Sequence, residues 1–257
     1  MRIISLNTNG LRAAERKGAF SWFAAQQADV ICIQETKAQT HQLEHDKFHL
    51  SGYHRYLKDA VKPGYSGVAL YTRHKPKQVI DSLDDGGEFD IEGRYLEAQF
   101  DHTAVISVYM PSGSSSEARQ AAKFRFLDSF TPHLEKLKAC GREVIICGDW
   151  NIAHKKMDLK NWRGNQKNSG FLPEERAWLD HVFSTGFTDA FRTVNQNEHE
   201  YTWWSNRGQA WANNTGWRID YQVVSDGLKG QVQQASVYKD QRFSDHAPLV
   251  IDYDWQL

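Results

Sequence analysis

Cysteine is scarce. Cys32, Cys140 and Cys147 are the only three in 257 residues, too few and odd in number for a disulfide framework, so a reducing, cytoplasmic compartment is expected. No apolar stretch approaches the ~20 residues that cross a bilayer. The opening Met1-Arg2-Ile3-Ile4-Ser5-Leu6-Asn7 turns polar too early for a signal peptide, so a soluble intracellular protein with no membrane partner is expected. With only 6 prolines and 18 glycines, collagen-like and low-complexity chains are excluded. No linker divides the sequence, and one domain over residues 1–257 is expected. Neither sign of charge is in excess. The 31 basic and 32 acidic residues leave −1, so net charge names no polyanionic partner and the distribution of charge has to be read instead. A Gly-x-Ser-x-Gly elbow, a P-loop and a dinucleotide glycine fingerprint are also missing. Without the elbow, Ser244-Asp245-His246 is no serine triad, because adjacent side chains point in different directions.

What the chain does have is aromatics: 9 Trp, 10 Tyr and 13 Phe, several of them between Tyr201 and Trp217. Short β-branched and apolar runs read as strands at Ile3–Leu6, Val30–Ile33, Val68–Tyr71, Tyr95–Phe100, Val105–Tyr109, Val144–Cys147, Ile219–Val224 and Leu249–Tyr253. Helical spacing appears at Ala13–Ala28 and again from Glu117 to Cys140 behind a Ser114-x-x-Glu117 capping box, with Pro132 as a kink. A third helix should start at Pro173-Glu174-Glu175 and stop at Gly186. Strands such as 95–100 and 105–109 are joined too tightly for strict βαβ alternation. The expected architecture is therefore α/β: a four-layer α/β/β/α sandwich of two mixed β-sheets flanked by helices. His41, His45 and His49 recur at helical spacing and read as a solvated helix face in preference to a transition-metal site.

Six strand ends run into polar clusters: Asn7-Thr8-Asn9-Gly10, Gln34-Glu35-Thr36-Lys37, Tyr109-Met110-Pro111-Ser112-Gly113, Gly148-Asp149-Trp150-Asn151, Arg218-Ile219-Asp220-Tyr221 and Ser244-Asp245-His246. A sheet fixes the backbone at such points while the following loop leaves the side chain open to a ligand. Any one of them alone is an ordinary turn former. Together they gather oxygen donors with no thiolate, a set that suits Mg²⁺ or Mn²⁺ better than zinc.

These clusters, with Gly64-Tyr65-Ser66-Gly67, Lys167-Asn168-Ser169-Gly170-Phe171, Trp217-Arg218-Ile219-Asp220-Tyr221 and Ser244-Asp245-His246-Ala247-Pro248, resemble in order and spacing the motifs of exonuclease III type abasic-site (AP) endonucleases. That group lies in the endonuclease/exonuclease/phosphatase superfamily, and the resemblance runs from about residue 3 to about residue 253. It implies a metal-dependent phosphodiesterase of DNA base-excision repair. Such an enzyme cuts 5′ to abasic sites, leaves a 3′-hydroxyl, and clears or digests 3′ ends. Its partner is double-stranded DNA with abasic sites or blocked 3′ ends, and it works as a monomer. Glu35 would be the central metal ligand, with Asn7 and Asp245 beside it. Asn9 stands where some relatives carry aspartate; it would support the ligands or a second metal position, which the missing carboxylate would weaken. Asp149 would orient or deprotonate the attacking water, and Asn151 would help to place it. His246, held by Asp220, and the phenol of Tyr109 would face the scissile phosphate.

The resemblance also implies substrate contacts. Trp203, Trp217 and Ile219 would line a pocket for a flipped-out sugar, Asn168 would touch the phosphate near it, Arg207 would enter a groove, and Arg12, Lys37 and Tyr65 would meet the backbone. Core packing is the first account of Trp204 and Trp211. Residues 151–168 carry five basic side chains against Asp158, a local +4, and become a DNA-facing surface. Residues 81–97 carry seven acids against Arg94, a local −6, and should lie away from DNA. Three rival readings remain open: an exonuclease III-like enzyme acting mainly on 3′ ends, a phosphatase or phospholipase of the same superfamily, which would not need the Asn168 loop or the Trp pocket, and a nucleic-acid-binding scaffold without catalysis.

Overall fold

A computed structural model of the chain describes residues 1–83 and 87–257. Its strands, in chain order, are β1 (Arg2–Asn7), β2 (Val30–Gln34), β3 (His54–Lys58), β4 (Val68–Thr72), β5 (Gln78–Ile80), β6 (Tyr95–Gln99) and β7 (Thr103–Tyr109), followed by β8 (Glu143–Asp149), β9 (Phe187–Asp189), β10 (Trp203–Trp204), β11 (Gly216–Trp217), β12 (Asp220–Ser225), β13 (Val232–Val237) and β14 (Leu249–Tyr253). The helices are α1 (Leu11–Arg16), α2 (Ala19–Gln26), α3 (Glu117–Ala139), α4 (Trp162–Asn165), α5 (Pro173–Ser184) and α6 (Ala190–Val194). Two six-stranded sheets form, in the orders β13-β14-β1-β2-β4-β3 and β5-β6-β7-β8-β12-β9, with β10 and β11 as a separate ribbon. Both sheets are mixed: β1–β2 and β7–β8 are parallel and the other pairs antiparallel.

Three apolar cores account for the layers. Ile4, Leu6, Ile31 and Ile33 pack under α1 and α2. Ile3, Val30 and Cys32 of the first sheet meet Val105, Ile145 and Val224 of the second. Ile106, Ile146 and Val223 pack under α3 and α5 through Phe126, Phe130, Leu179 and Val182. This is the four-layer α/β/β/α sandwich expected from the sequence. The strict period of two in a strand then decides where the chemistry goes. In β1 the residues between the sheets are Ile3, Ser5 and Asn7; in β8 they are Ile145, Cys147 and Asp149. The inter-sheet face is thus apolar at one end and ends in polar groups at the other. Between them lies a hydrogen-bonded seam: Ser5 Oγ to Gln34 at 3.4 Å, Gln34 Nε2 to Ser107 Oγ at 3.0 Å, and Ser107 Oγ to the Ile33 carbonyl at 3.0 Å. Gln222 Nε2 donates across the interface to the Ile3 carbonyl at 3.1 Å.

Several local expectations need correction. The Ala13–Ala28 segment is two helices, broken where Gly18 takes φ +88°. The cap of α3 is Ser116, whose hydroxyl accepts from the Arg119 amide at 3.2 Å, because Glu117 is already the first helical residue. Pro132 sits inside α3 without ending it. The histidines at 41, 45 and 49 share no helix; two 3₁₀ turns, Thr40–Leu43 and Asp46–Phe48, replace it. Among the described residues no helix is long and apolar enough to cross a membrane.

Candidate active site

Asp149 ends β8, and its register partners are Tyr109 on parallel β7 and Asp220 on antiparallel β12, so three polar side chains leave the second sheet at one level. The chain reaches this point through Gly148. A Cβ there would lie 1.8 Å from the Val108 carbonyl oxygen, so only glycine fits. From the first sheet come Asn7 at the end of β1 and Glu35 just past β2, while Ser244 Oγ ties the 244–246 turn to the Asn7 carbonyl at 2.7 Å. Asn9, Glu35, Lys37 and Asn151 all have φ between +45° and +53°. L-residues enter that region at a cost, and clusters of such residues mark functional sites.

Asp149 is 1% exposed. Its Oδ2 accepts from Asn7 Nδ2 at 2.8 Å and its Oδ1 from the Asn151 amide at 2.9 Å. Burial, with Asp220 and Glu35 nearby, lifts its pKa to about 7 against the pull of His246. His246 Nδ1 lies 2.8 Å from Asp220 Oδ2, and its Nε2 is 3.8 Å from Asp149 Oδ2. Burial pushes the imidazole down, but Asp220, then Asp149 and Asp245, outweigh it and raise its pKa to about 10. At neutral pH it is an imidazolium between carboxylates. The Thr202 hydroxyl accepts from the Asp220 amide at 3.1 Å, which fixes that end of the pair. The Tyr109 phenol donates to Glu35 Oε1, and burial first, then Glu35, keeps its pKa well above the usual phenol value.

Around Glu35 the donors are oxygens. Lys37 Nζ meets Glu35 Oε2 at 2.8 Å and also bonds Asn9 Oδ1, while Asn9 Nδ2 donates to Asp245 Oδ1 at 3.0 Å. Burial acts to raise Asp245, but the His246 charge and the donors Asn9 and Trp203 hold it below the ordinary carboxylate range. An ammonium already sits on two of these oxygens, and two carboxylates with amide oxygens suit a hard divalent cation, so the cup fits one. The trio Asp149, Asp220 and His246 also converges, with ligand atoms within 4.8 Å of one another. A protonated imidazole has no lone pair to offer, however, so that trio suits proton handling better than ligation.

Asn9, Glu35, Tyr109, Asp149, Asn151, Asp245 and His246 line one cleft of about 720 Å³ together with Asn168, Trp203, Trp217 and Ile219. Trp203 Nε1 donates to Asp245 Oδ2 at 3.1 Å, and its ring meets Trp217 edge-on at 6.4 Å. Asn7 and Asp220 lie behind the wall, the first under Asp149 and the second behind His246. Both atoms of the Asn7 amide are engaged, since its Oδ1 accepts from the Asn9 amide at 2.9 Å. Arg12 and Arg207 are exposed and Lys37 and Tyr65 half-buried, none of them on the cleft surface. The Tyr65 hydroxyl faces inward, accepting from Arg94 at 2.9 Å and Arg119 at 2.7 Å.

The acidic run is not remote from the site. Glu92 binds Arg94 at 2.6 Å, and Arg94 in turn donates to the Tyr109 carbonyl at 2.9 Å and stacks under the Tyr109 ring at 4.8 Å. Asp84 and Asp85 of that run lie outside the described residues. In the basic run, Asp158 is buried in a network with Arg218 and Arg192, and Lys155 is paired with Asp180 at 2.6 Å. Trp204 belongs to the inter-sheet core, as expected. Sequence reasoning gave no site role to Arg94, Lys123 or Glu175. Lys123 did leave a signal: it falls on the apolar stripe of α3 with Phe126, Leu127 and Phe130.

Two sheets face to face, with a carboxylate–imidazole pair, a phenol and an oxygen-lined cation cup converging at one end, define a phosphodiester hydrolase. Residues 4–246 match the Endonuclease/Exonuclease/phosphatase family. The exodeoxyribonuclease of Bacillus subtilis (strain 168) is 40% identical over 251 residues, 97% of this chain and 98% of that protein. The DNA repair nuclease APEX1 of Danio rerio is 35% identical, over 98% of this chain and 81% of its own length. An AP endonuclease structure from Archaeoglobus fulgidus superposes with a TM-score of 0.90 at 26% identity, covering 99% of this chain and 100% of that one. The chain belongs to the Endonuclease/Exonuclease/phosphatase family and to its exonuclease III and AP endonuclease group, whose members depend on a metal.

Proposed function

We propose that the protein hydrolyses the DNA phosphodiester 5′ to abasic sites, leaving a 3′-hydroxyl, and also removes blocking groups and nucleotides from 3′ ends. On this reading residues 1–257 act as one catalytic domain, and as a monomer. One observation carries it. Asp149, His246, Tyr109 and Glu35 open onto the same cleft as Trp203, Trp217, Ile219 and Asn168, so phosphate chemistry and an apolar lining share one space.

Glu35 and Asp245 would hold Mg²⁺ or Mn²⁺, with Asn9 and Asn7 supporting them. A bound divalent ion would neutralise charge on the phosphate and on the leaving oxygen. Asp149, with a pKa of about 7, is matched to taking a proton from water near neutral pH, and the Asn151 amide keeps its carboxylate aimed. His246, kept cationic by Asp220, meets charge as it builds on the phosphate oxygens. Tyr109 donates to the same oxygens once Glu35 is engaged elsewhere. A sugar without its base enters beside Trp203 and Trp217, and extrusion costs least where the base is already gone. Asn168 meets its phosphate, while Arg12, Lys37, Tyr65 and Arg207 act further along the duplex. Purified protein with Mg²⁺ and a duplex carrying one tetrahydrofuran abasic analogue tests the reading. The expected product is a nick 5′ to the analogue that a polymerase extends; incision no faster than in an intact duplex overturns it.

A further inference from the structure

One buried ion pair has no place in the chemistry above. Lys123 on α3 and Glu175 on α5 both have side chains 0% exposed, and Lys123 Nζ donates to Glu175 Oε1 at 2.6 Å. The same ammonium donates to the Asn151 carbonyl at 2.7 Å. Glu175 Oε2 accepts from the Gly170 amide at 2.7 Å and the Leu172 amide at 3.1 Å, while Gln120 Nε2 reaches Oε1 at 3.1 Å. One end of the pair therefore grips the turn that follows Asp149, and the other grips the loop that carries Asn168.

Those two segments also touch directly. The Ala153 amide donates to the Gly170 carbonyl at 2.7 Å. A Cβ on Gly170 would lie 3.1 Å from the Asn151 oxygen and 3.2 Å from the Trp217 ring. Any shift of the Asn151 peptide is thus felt by Gly170 and by the Trp217 wall. Stability alone does not account for such a pair. Desolvating two charges largely cancels their attraction, and apolar residues of similar volume generally serve a core as well or better. Burial pulls the Lys123 pKa down even with Glu175 beside it, as expected of a charge kept there at a cost. What an ion pair with five hydrogen bonds does supply is direction.

We propose that Lys123 and Glu175 are positioning residues that hold the Asn151 turn and the 168–171 loop as one unit, fixing the spacing between the phosphate-facing groups and the sugar wall. The catalytic part of this inference rests on the abasic-site reading above; the mechanical part does not. Two measurements separate them. In Lys123→Met/Glu175→Leu no buried charge is left unpaired, so the variant should melt within a few degrees of wild type. Its single-turnover nicking rate per folded molecule at the abasic analogue should nevertheless fall at least ~30-fold, with KM within about threefold. Lys123→Arg, which keeps the cation and the donor, should recover most of the rate. In Glu175→Gln, whose side chain bonds no atom of Asn151, amide hydrogen exchange at Asn151 should speed up at least ~10-fold. A rate per folded molecule within threefold of wild type in the double variant, or unchanged exchange at Asn151 in Glu175→Gln, overturns the proposal. If the double variant does not fold, the exchange measurement decides. If wild type does not nick the abasic duplex, the functional reading falls, and exchange still decides whether the two loops are coupled.

Discussion

Asp220→Asn removes a charge while keeping the volume of the side chain that holds His246. The imidazole nitrogen lies 2.8 Å from the carboxylate, both groups are buried, and Asp220 is the largest influence raising the histidine pKa to about 10. Breaking one partner out of a buried charged pair costs about 3 kcal/mol at the low end of the usual range. At 1.36 kcal/mol per unit that is about two units, so His246 in the variant should titrate near pH 8. The sign follows directly: the cation survives to higher pH in wild type than in the variant. At pH 6.5 both proteins are almost fully protonated. At pH 9 roughly nine-tenths of the wild type and one-tenth of the variant carry the proton, so the ratio of their rates should widen about ninefold between the two pH values. Single-turnover nicking of the abasic-analogue duplex from pH 6 to 9.5 measures this, and NMR titration of the His246 ring in metal-free protein reads the same shift without turnover. A rate ratio that stays flat with pH, or a histidine titration that does not move, would show that Asp220 acts through geometry alone and would refute the electrostatic argument.

Other consequences can be checked as simply. The raised His246 pKa contributes stability that is complete below pH 6.5 and disappears as pH rises through about 10, so the gap in melting temperature between wild type and Asp220→Asn should close over that window. Gly148→Ala drives a Cβ to 1.8 Å from the Val108 oxygen, one residue before the Asp149 end of the β7–β8 pair, and should lower the melting temperature by well over 10 °C, measured by circular dichroism. Lys156 and Arg163 both lie against the Trp162 ring, at 4.4 and 4.7 Å from its centroid, and Lys160 is exposed. Neutralising all three should flatten the log–log salt dependence of DNA binding by up to about 2.7, at about 0.9 per phosphate contact. Lys155→Ala should change it far less, because Asp180 already pairs with that charge.

The residues that do the chemistry were legible because they stand where an apolar strand stops. Asn7, Tyr109, Asp149 and Asp220 each sit at the end of a run whose period of two fixes which face they share, and order along the chain supplied the rest. The edge strands β3, β9 and β13 were not legible. β9 is only three residues long, Phe187–Asp189, and β3 and β13 are partly exposed and mix Gln, Lys and His with few apolar residues, so little in the sequence distinguishes them from loops. Charges that turn inward were harder still. Lys123, Glu175, Asp158 and Arg218 look like ordinary surface ions in sequence, and only their partners, between 29 and 60 residues away, make them interior. In the acidic run, Glu92 is drawn to Arg94 and Arg119 beside Tyr109, and summed charge over a window cannot register such a pairing.

The reacting groups are divided between the two sheets. Glu35 and Asn7 come from one, Tyr109, Asp149 and Asp220 from the other, and the 245–246 turn leads into β14 of the first. A molecule with only the first sheet assembled has the cation cup without Asp149 and Tyr109, and one with only the second has the reverse. The cation cup and the Asp149 and Tyr109 side chains therefore meet only where the two sheets dock.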